Sequence, residues 1–480
     1  MPAPPAIRVF NTLTMQKEPL EPLQPGRLGV YVCGPTVYHW IHIGNARTFA
    51  SFDVVVRYLR YRYPPPGFMV KYVRNFTDVD DRILQRANEQ GKTFDEFAQF
   101  FIDEFHKDAA ALKLIQPDVE PRVSEHIPEI VSIIEALIAR GVAYESQGDV
   151  YFSVGRYPEY ARLSRRNLDD LKAGARVEPG EQKREPLDFA LWKAAKPGER
   201  SWESPWGRGR PGWHIECSAM SRKHLGESFD IHGGALDLIF PHHENEIAQS
   251  EAASGKKLAR YWMHCGFLDL ENVKMSKSLG NIVLLKDALE QVDAEALRLF
   301  FFSTHYRNQL SFSERSLFDA EARMEYFYET LKKVPAAPEA SGPPWPGEAA
   351  KVMAGFEAAM DDDFNAPAAV AVLSELFAAL NKPSKDKLRL AWLRRAATTI
   401  GGVLGLFGDD VDAWLQRHRD RMVRQHGVDE AKVGSLLEGR AAARAAKDYQ
   451  ESDRIRDELK ALGVEVMDTP QGQRWRVLPR

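Results

Sequence analysis

The chain has 480 residues, 44% of them hydrophobic, with 64 basic and 68 acidic side chains and a net charge of −4. That length exceeds one core and predicts about three domains, while the balanced charge excludes nucleic-acid binding through bulk positive charge. Three scattered cysteines exclude a disulfide scaffold and point to a reducing, cytoplasmic setting. No window reaches the roughly 18 apolar residues of a membrane helix and no signal-peptide pattern is visible, so no membrane is expected as a partner.

In chain order, residues 27–34 (RLGVYVCG) read as a buried strand entering a Gly-Pro loop, residues 45–60 as a helix and residues 68–75 (FMVKYVRN) as a second strand. Strand, helix and strand at this length predict a βαβ unit in a parallel sheet, whose ligands lie beyond the C-terminal strand ends. Cys33 stands at one such end. Residues 127–140 read as an amphipathic helix with Pro128 in its first turn. An irregular stretch rich in Arg, Trp, Gly and Pro follows to about residue 212 and reads as an insertion between two halves of the sheet domain. Residues 228–232 read as a strand, a helix starts near His242, and helical signals run over 284–333. Five prolines and two glycines within residues 335–347 mark a linker. Three apolar-periodic helices then run through about Gly408, and the end reads helix (431–462), strand (464–467), turn, strand (473–478).

Three constellations carry chemistry. In FPHHENE, His242 and Glu246 stand four apart, so a helix places both on one face. With Cys33 and with Cys217 from GWHIECSAM, that donor set fits tetrahedral zinc. The same pair also fits a plain polar helix face, and 184 positions between the two cysteines match no local zinc pattern. Cys265 reads as a small buried hydrophobe. The loop GPTVYHWIHIGN puts His42, Gly44 and Asn45 at a helix start, offering backbone N–H groups and the helix dipole to a phosphate. KMSKS, with Lys274 and Lys277 beside small hydroxyl residues, makes a cationic loop suited to a polyphosphate, or else a solvated charged turn.

Taken together, HIGN near the first strand and KMSKS downstream resemble the paired signatures of class I aminoacyl-tRNA synthetases. The flanking words YVCGPTVYHWIHIGNAR, KYVRNFTDVDD, PGWHIECSAM, HGGALDLIFPHHENEIAQSEA and MHCGFL resemble the cysteinyl-tRNA synthetases. MDDDFNAP resembles that family's helical domain, and the ending from ARAAKDYQESD to QGQRW its anticodon-binding module. The fold so implied is α/β: a Rossmann-like parallel-sheet catalytic domain with an insertion, an α-helical bundle domain and a small C-terminal α+β anticodon-binding module. Its expected boundaries are 1–125 (first catalytic half), 126–212 (connective insertion), 213–270 (second half), 271–334 (KMSKS loop and stem-contact helices), 335–348 (linker), 349–425 (bundle) and 426–480 (anticodon module).

The resemblance implies that L-cysteine is activated with ATP and transferred to the 3′-terminal ribose of tRNA(Cys). It implies one zinc ion on Cys33, Cys217, His242 and Glu246, binding the substrate as thiolate. Zinc discriminates sulfur from its hydroxyl near-isostere where an apolar pocket cannot. Neighbouring histidines His39, His214 and His243 are expected to offset the ligands' negative charge. Thr77 and Trp213 match the cysteine pocket. His42 and Asn45 are expected on the ATP phosphates, with Asn45 standing where the family's usual HIGH has a second histidine. Lys274 and Lys277 are expected on the departing pyrophosphate, Asp237 on the adenosine side, and Mg²⁺ with the ATP. From Arg440 to Arg480 nine basic residues face seven acidic ones, so base reading outweighs phosphate attraction. Arg444, Asp453, Arg456 and Asp468 match anticodon-contact positions, and Trp475 is expected to stack on a base. Helix-surface ion pairing is the alternative for Asp453 and Arg456. Two other readings differ in class: a ligase joining cysteine to an amino sugar, whose members lack the C-terminal module, and a silent tRNA-binding paralogue, against which the intact motifs count. A monomer is the default expectation.

Overall fold

The structure is a computed structural model describing residues 7–174, 182–196, 199–270, 273–274, 282–335, 344–469 and 472–477. Four strands, β1 (Arg27–Val32), β2 (Met69–Arg74), β3 (Phe229–Ala235) and β4 (Ala259–Cys265), form a parallel sheet in the order β4-β3-β1-β2. Nearly every position of β1, β3 and β4 is buried, as in a parallel sheet covered on both faces. Since β1 pairs with β2 on one side and β3 on the other, the chain leaves in opposite directions at β1, which opens a crevice at its C-terminal end.

Helix α1 (Ile43–Arg62) follows β1 and buries fourteen of its twenty residues, so it runs through the core rather than along its surface. Its buried charged side chains tie it to distant segments. Arg47 donates to the carbonyls of Gly266, Phe267, His305 and Asn308, and Asp53 accepts from Arg57, Arg298 and the Ile115 amide. Helix α2 (Ile127–Ala139) packs on α3 (Trp213–Leu225) and α4 (His242–Ser254) through Ile130, Ile133 and Ile134. Between α2 and α3 lies an antiparallel sheet of Ala143–Ser146, Asp149–Phe152, Phe189–Ala194 and Gly209–Pro211.

The region expected as helical over 284–333 also contains a strand. Leu310–Phe312 pairs in parallel with Leu268–Leu270, which in turn pairs antiparallel with Val273–Lys274. The short apolar alternation LSF in a long helical context hid it. Helices α5 (Ala294–Phe301) and α6 (Glu314–Lys333) flank this sheet. The linker expected over 335–347 falls partly outside the described residues.

The bundle consists of α7 (Gly347–Asp361), α8 (Ala366–Leu380) and α9 (Lys387–Leu404). The MDDDFNAP motif makes the turn between α7 and α8. Asp363 and Phe364 take φ of 65° and 51°, and the fully buried Asp363 carboxylate accepts from Tyr306, Arg307 and the Phe10 amide. The motif thus ties the bundle to the sheet domain, and the ion pair and hydrogen bonds offset the left-handed backbone. Helix α10 (Val411–His426) leads to α11 (Glu430–Ala445) and α12 (Tyr449–Ala461), then a hairpin of β5 (Val464–Thr469) and β6 (Gly472–Val477). One helix over 431–462 was expected. The chain instead breaks at Lys447, φ 61°, and restarts where Asp448 caps α12 by accepting from the Glu451 amide.

Candidate active site

The end of β1 carries Cys33. The Cys33 backbone N–H donates to Gly233 on β3, while Gly34 passes so close to β2 that a Cβ there would lie 1.6 Å from the Asn75 carbonyl oxygen. Only glycine permits that approach. Asn75 accepts from the Gly34 amide at 2.9 Å, and Thr77 pairs through its backbone with Pro35 and Val37. The first loop is therefore fixed before any ligand arrives.

Helices α3 and α4 converge on this point. Cys217 Sγ lies 3.7 Å from Cys33 Sγ, Glu246 Oε1 lies 3.5 Å from Cys33 Sγ, and His242 Nε2 lies 3.1 Å from the same Glu246 oxygen. All four ligand atoms fall within 4.8 Å of one another, and all four residues are buried. Bond lengths of about 2.3 Å to sulfur and 2.0–2.2 Å to nitrogen and oxygen give tetrahedral edges of roughly 3.7 Å (S···S), 3.6 Å (S···O) and 3.4 Å (N···O). The observed separations match those edges in order and nearly in size, so the donor set fits a zinc-like ion.

Their electrostatics suit the same role. Burial raises the Cys33 thiol well above its usual range, and the hydrogen bond from Cys33 holds Cys217 below its own. Burial would raise Glu246, but His232 and His242 together hold it at about 2. Burial would likewise lower His242, yet Glu246 and Cys217 lift it to about 10. The buried Tyr31 phenol is pushed up by burial and by both sulfurs.

Three histidines were expected to offset the ligands' charge: His39, His214 and His243. Burial drives the His214 and His243 pKa values well down. His214 Nδ1 contacts His242 Nδ1 at 3.0 Å, His243 Nδ1 contacts His264 Nε2 at 2.8 Å, and His39 turns to the Trp40 carbonyl. A further imidazole on the ligand shell is His232, with Nε2 2.9 Å from Glu246 Oε2. Sequence reasoning missed His232, in the middle of β3, and Asn75, just past the end of β2, although both fall in quoted motifs (HGGALDL and KYVRN).

His42 and Asn45 open α1 as a capping box. His42 Nδ1 accepts from the Gly44 and Asn45 amides at 3.1 and 3.3 Å, and Asn45 Oδ1 accepts from the His42 amide. Those backbone N–H groups are thus engaged by the cap, contrary to the expectation that they face an anion. An Nδ1 that accepts leaves the proton of a neutral ring on Nε2, so the ring N–H of His42 lies on the side away from the cap, and Asn45 uses its amide oxygen and not its NH₂ in the cap. Behind them Ile43 N–H donates to Val283 and Leu285 N–H to Ile41, which joins the HIGN loop to the residues following KMSKS. Lys274 is placed by its backbone opposite Asp269; Lys277 lies outside the described residues.

One cavity of about 900 Å³ is lined by Cys33, Cys217 and His242, by His42 and Asn45, and by Thr77, Trp213 and Asp237. Trp213 is 39% exposed, with its ring 4.6 Å from that of His242, so it is a cavity wall and not a core indole. Thr77 is buried in the lining and Asp237 is exposed.

The C-terminal candidates lie far along the chain from this cavity and group in pairs. Asp468 accepts from Arg444 and, at 2.8 and 3.0 Å, from the buried Arg440, which had not been singled out. Asp453 and Arg456 are exposed on α12 as an ion pair at 3.7 Å. The Trp475 ring is covered by the Arg419 guanidinium at 4.1 Å.

Known proteins resemble this chain over its whole length. Residues 19–322 match the model of the tRNA synthetases class I (C) catalytic domain, 355–408 a DALR domain, and 430–476 the cysteinyl-tRNA ligase anticodon binding domain. A cysteine–tRNA ligase of Anaeromyxobacter dehalogenans is 53% identical over 98% of this chain and 100% of its own. One of Geobacter sulfurreducens is 49% identical with the same coverage. In fold, the chain is similar to a Mycobacterium tuberculosis methionyl-tRNA synthetase solved with methionyl-adenylate, with TM-score 0.54 and 15% identity over 79% of this chain and 89% of the other. It is also similar to an Agrobacterium radiobacter LeuRS in a ternary complex, with TM-score 0.55 and 12% identity over 80% and 85%.

Proposed function

This chain belongs to the cysteinyl-tRNA synthetases of class I, and on that premise we propose how its residues carry the family's reaction. It is a cysteine–tRNA ligase, using ATP to join the amino acid to tRNA. The observation that carries the residue roles is the meeting of a tetrahedral Cys33–Cys217–His242–Glu246 donor set with the His42/Asn45 cap in one cavity.

Cysteine enters between Thr77 and Trp213 with its sulfur toward the four donors. A zinc ion held there supplies a soft Lewis acid that prefers thiolate over hydroxyl. The substrate carboxylate attacks the α-phosphorus of ATP in line; the bond to the β-phosphate oxygen breaks and pyrophosphate leaves. His42 Nε2–H and the Asn45 amide orient the phosphates, Lys274 and Lys277 balance the charge growing on pyrophosphate, Asp237 holds the adenosine side, and Mg²⁺ travels with the ATP. No protein nucleophile is required, because both reacting groups belong to the substrates. The 3′-terminal ribose hydroxyl of tRNA(Cys) then attacks the adenylate carbonyl and AMP departs. Arg444, Asp453, Arg456, Asp468 and Trp475 read the anticodon, with the Arg440–Asp468–Arg444 network presenting polar edges to unpaired bases. The chain's domains run from the first catalytic half over 1–125 through the bundle over 349–425 to the anticodon module over 426–480. We take the protein to work as a cytoplasmic monomer; no described helix is long and apolar enough to cross a membrane.

The test is ATP–pyrophosphate exchange with cysteine and serine, run on the native chain and on Cys217→Ser. The native chain is expected to hold one zinc per chain and to exchange with cysteine alone. Cys217→Ser is expected to lose metal and cysteine dependence together. Full cysteine preference in a Cys217→Ser protein devoid of metal would overturn the metal assignment.

A further inference from the structure

The cavity extends beyond the groups just assigned. Because the sheet order is β4-β3-β1-β2, the segment after β3, with Asp237 and Leu238, and the segment after β2, with Thr77 in its loop and Arg82 and Arg86 on the helix Asp81–Glu89, flank β1 from opposite sides. Cys33 stands between them. A volume near 900 Å³ lies toward the upper end of small-molecule sites. An adenylate with its sulfur at the donor set and its nucleotide toward Asp237 therefore leaves the β2 side open.

That side is cationic and aromatic. The Arg82 guanidinium carbon lies 4.4 Å and that of Arg86 5.2 Å from the Tyr38 ring centroid. Arg82 is committed, since Nε and Nη2 bind the Asp80 carboxylate at 2.8 and 2.9 Å. Arg86 gives one N–H to the Tyr38 carbonyl at 3.2 Å, and no carboxylate pairs with it among the described residues. A guanidinium braced on an aromatic ring, with donors still available and a cavity before it, is built to take a phosphate diester of an unpaired strand.

Resting on the function proposed above, we propose that Arg86, braced by Tyr38, binds a backbone phosphate of the single-stranded 3′ end of tRNA and delivers the terminal ribose to the adenylate from the β2 side. The only other phosphate source in the reaction is the triphosphate of ATP, and the experiment separates the two.

Dissociation constants are measured by filter binding for a cysteine tRNA transcript ending in CCA and for the same transcript lacking its terminal CA dinucleotide, together with KM for ATP in cysteine-dependent exchange. The native protein is expected to bind the intact end about tenfold more tightly, the scale of one charged hydrogen-bonded contact. Arg86→Ala is expected to bring that ratio within twofold, and Arg86→Lys, which keeps the charge, to retain part of it. An unchanged ratio in Arg86→Ala overturns the proposal. So does a rise of tenfold or more in KM for ATP with the ratio intact, which would assign Arg86 to the triphosphate. Absence of cysteine-dependent exchange in the native protein would instead overturn the family-based reading, so the two failures are distinct.

Discussion

Replacing His232 with leucine should loosen the metal site without removing a ligand. His232 is fully buried on β3, its Nε2 is 2.9 Å from Glu246 Oε2, and its ring stacks at 4.4 Å on Trp262. The other Glu246 oxygen faces Cys33 and His242. Leucine fills most of the volume but leaves Oε2 buried and unpartnered, which costs about 1–3 kcal/mol. Losing the partner that orients a ligating carboxylate weakens metal affinity roughly 10–100-fold, or about 1.4–2.7 kcal/mol. The two estimates agree because they count the same interaction. His232 is also the first of the two imidazoles that hold Glu246 at about 2 against its burial, so its loss raises the Glu246 pKa. A carboxylate that protonates at higher pH releases metal at higher pH, so the acid end of the metal-retention curve should move upward. The assay is competition with a chelator of known zinc affinity between pH 5 and 8, with metal per chain read by mass spectrometry. His232→Gln, which keeps an N–H donor, should recover at least half the loss. A His232→Leu protein that holds its metal within twofold of the native affinity at every pH would refute the reasoning.

Three further outcomes are expected. Gly34→Ala places a methyl 1.6 Å from the Asn75 carbonyl, so the loop carrying Cys33 must shift. A loss of about 3 kcal/mol or more in urea unfolding should accompany loss of bound metal. Arg298→Met removes a buried guanidinium that donates to Asp53, Leu112 and Leu404, and should cost about 3–5 kcal/mol by stranding those acceptors. Burial, with a smaller contribution from Glu104, raises Asp108 to about 6, and its Oδ2 has no partner. The folded state then binds more protons than the unfolded between roughly pH 4 and 6, so stability falls as pH rises through that window. Asp108→Asn should remove this fall and stabilise the protein at pH 7 by about 1–2 kcal/mol after allowance for solvent screening, as read by urea unfolding at pH 4.5 and 7.5.

The parallel sheet and the helix start at HIGN could be read from the chain because each rests on local chemistry, whereas the set of four donors was legible only through the family resemblance, since 184 positions separate Cys33 from Cys217. Apolar runs ending in Gly-Pro mark strands that enter loops, and His242 and Glu246 share a helix face at any spacing of four. Lys447 shows where local reading failed. A helical composition over 431–462 concealed a single left-handed residue, because lysine carries no glycine-like signal for positive φ. The strand Leu310–Phe312 was hidden for the opposite reason, since its partners lie some forty positions earlier and three residues hold no period.

By itself the sequence determined which residue types were available: two thiols, an imidazole and a carboxylate for a soft cation, and a histidine and an asparagine at a helix start. Only the tertiary structure decided that 3.7 Å separates the two sulfurs, that His232 joins His242 in steadying Glu246, and that Nδ1 of His42 is taken by its own helix. Chemical identity is a property of each residue. Distance, burial and proton placement depend on what the rest of the chain packs around it, and no spacing along the sequence encodes them.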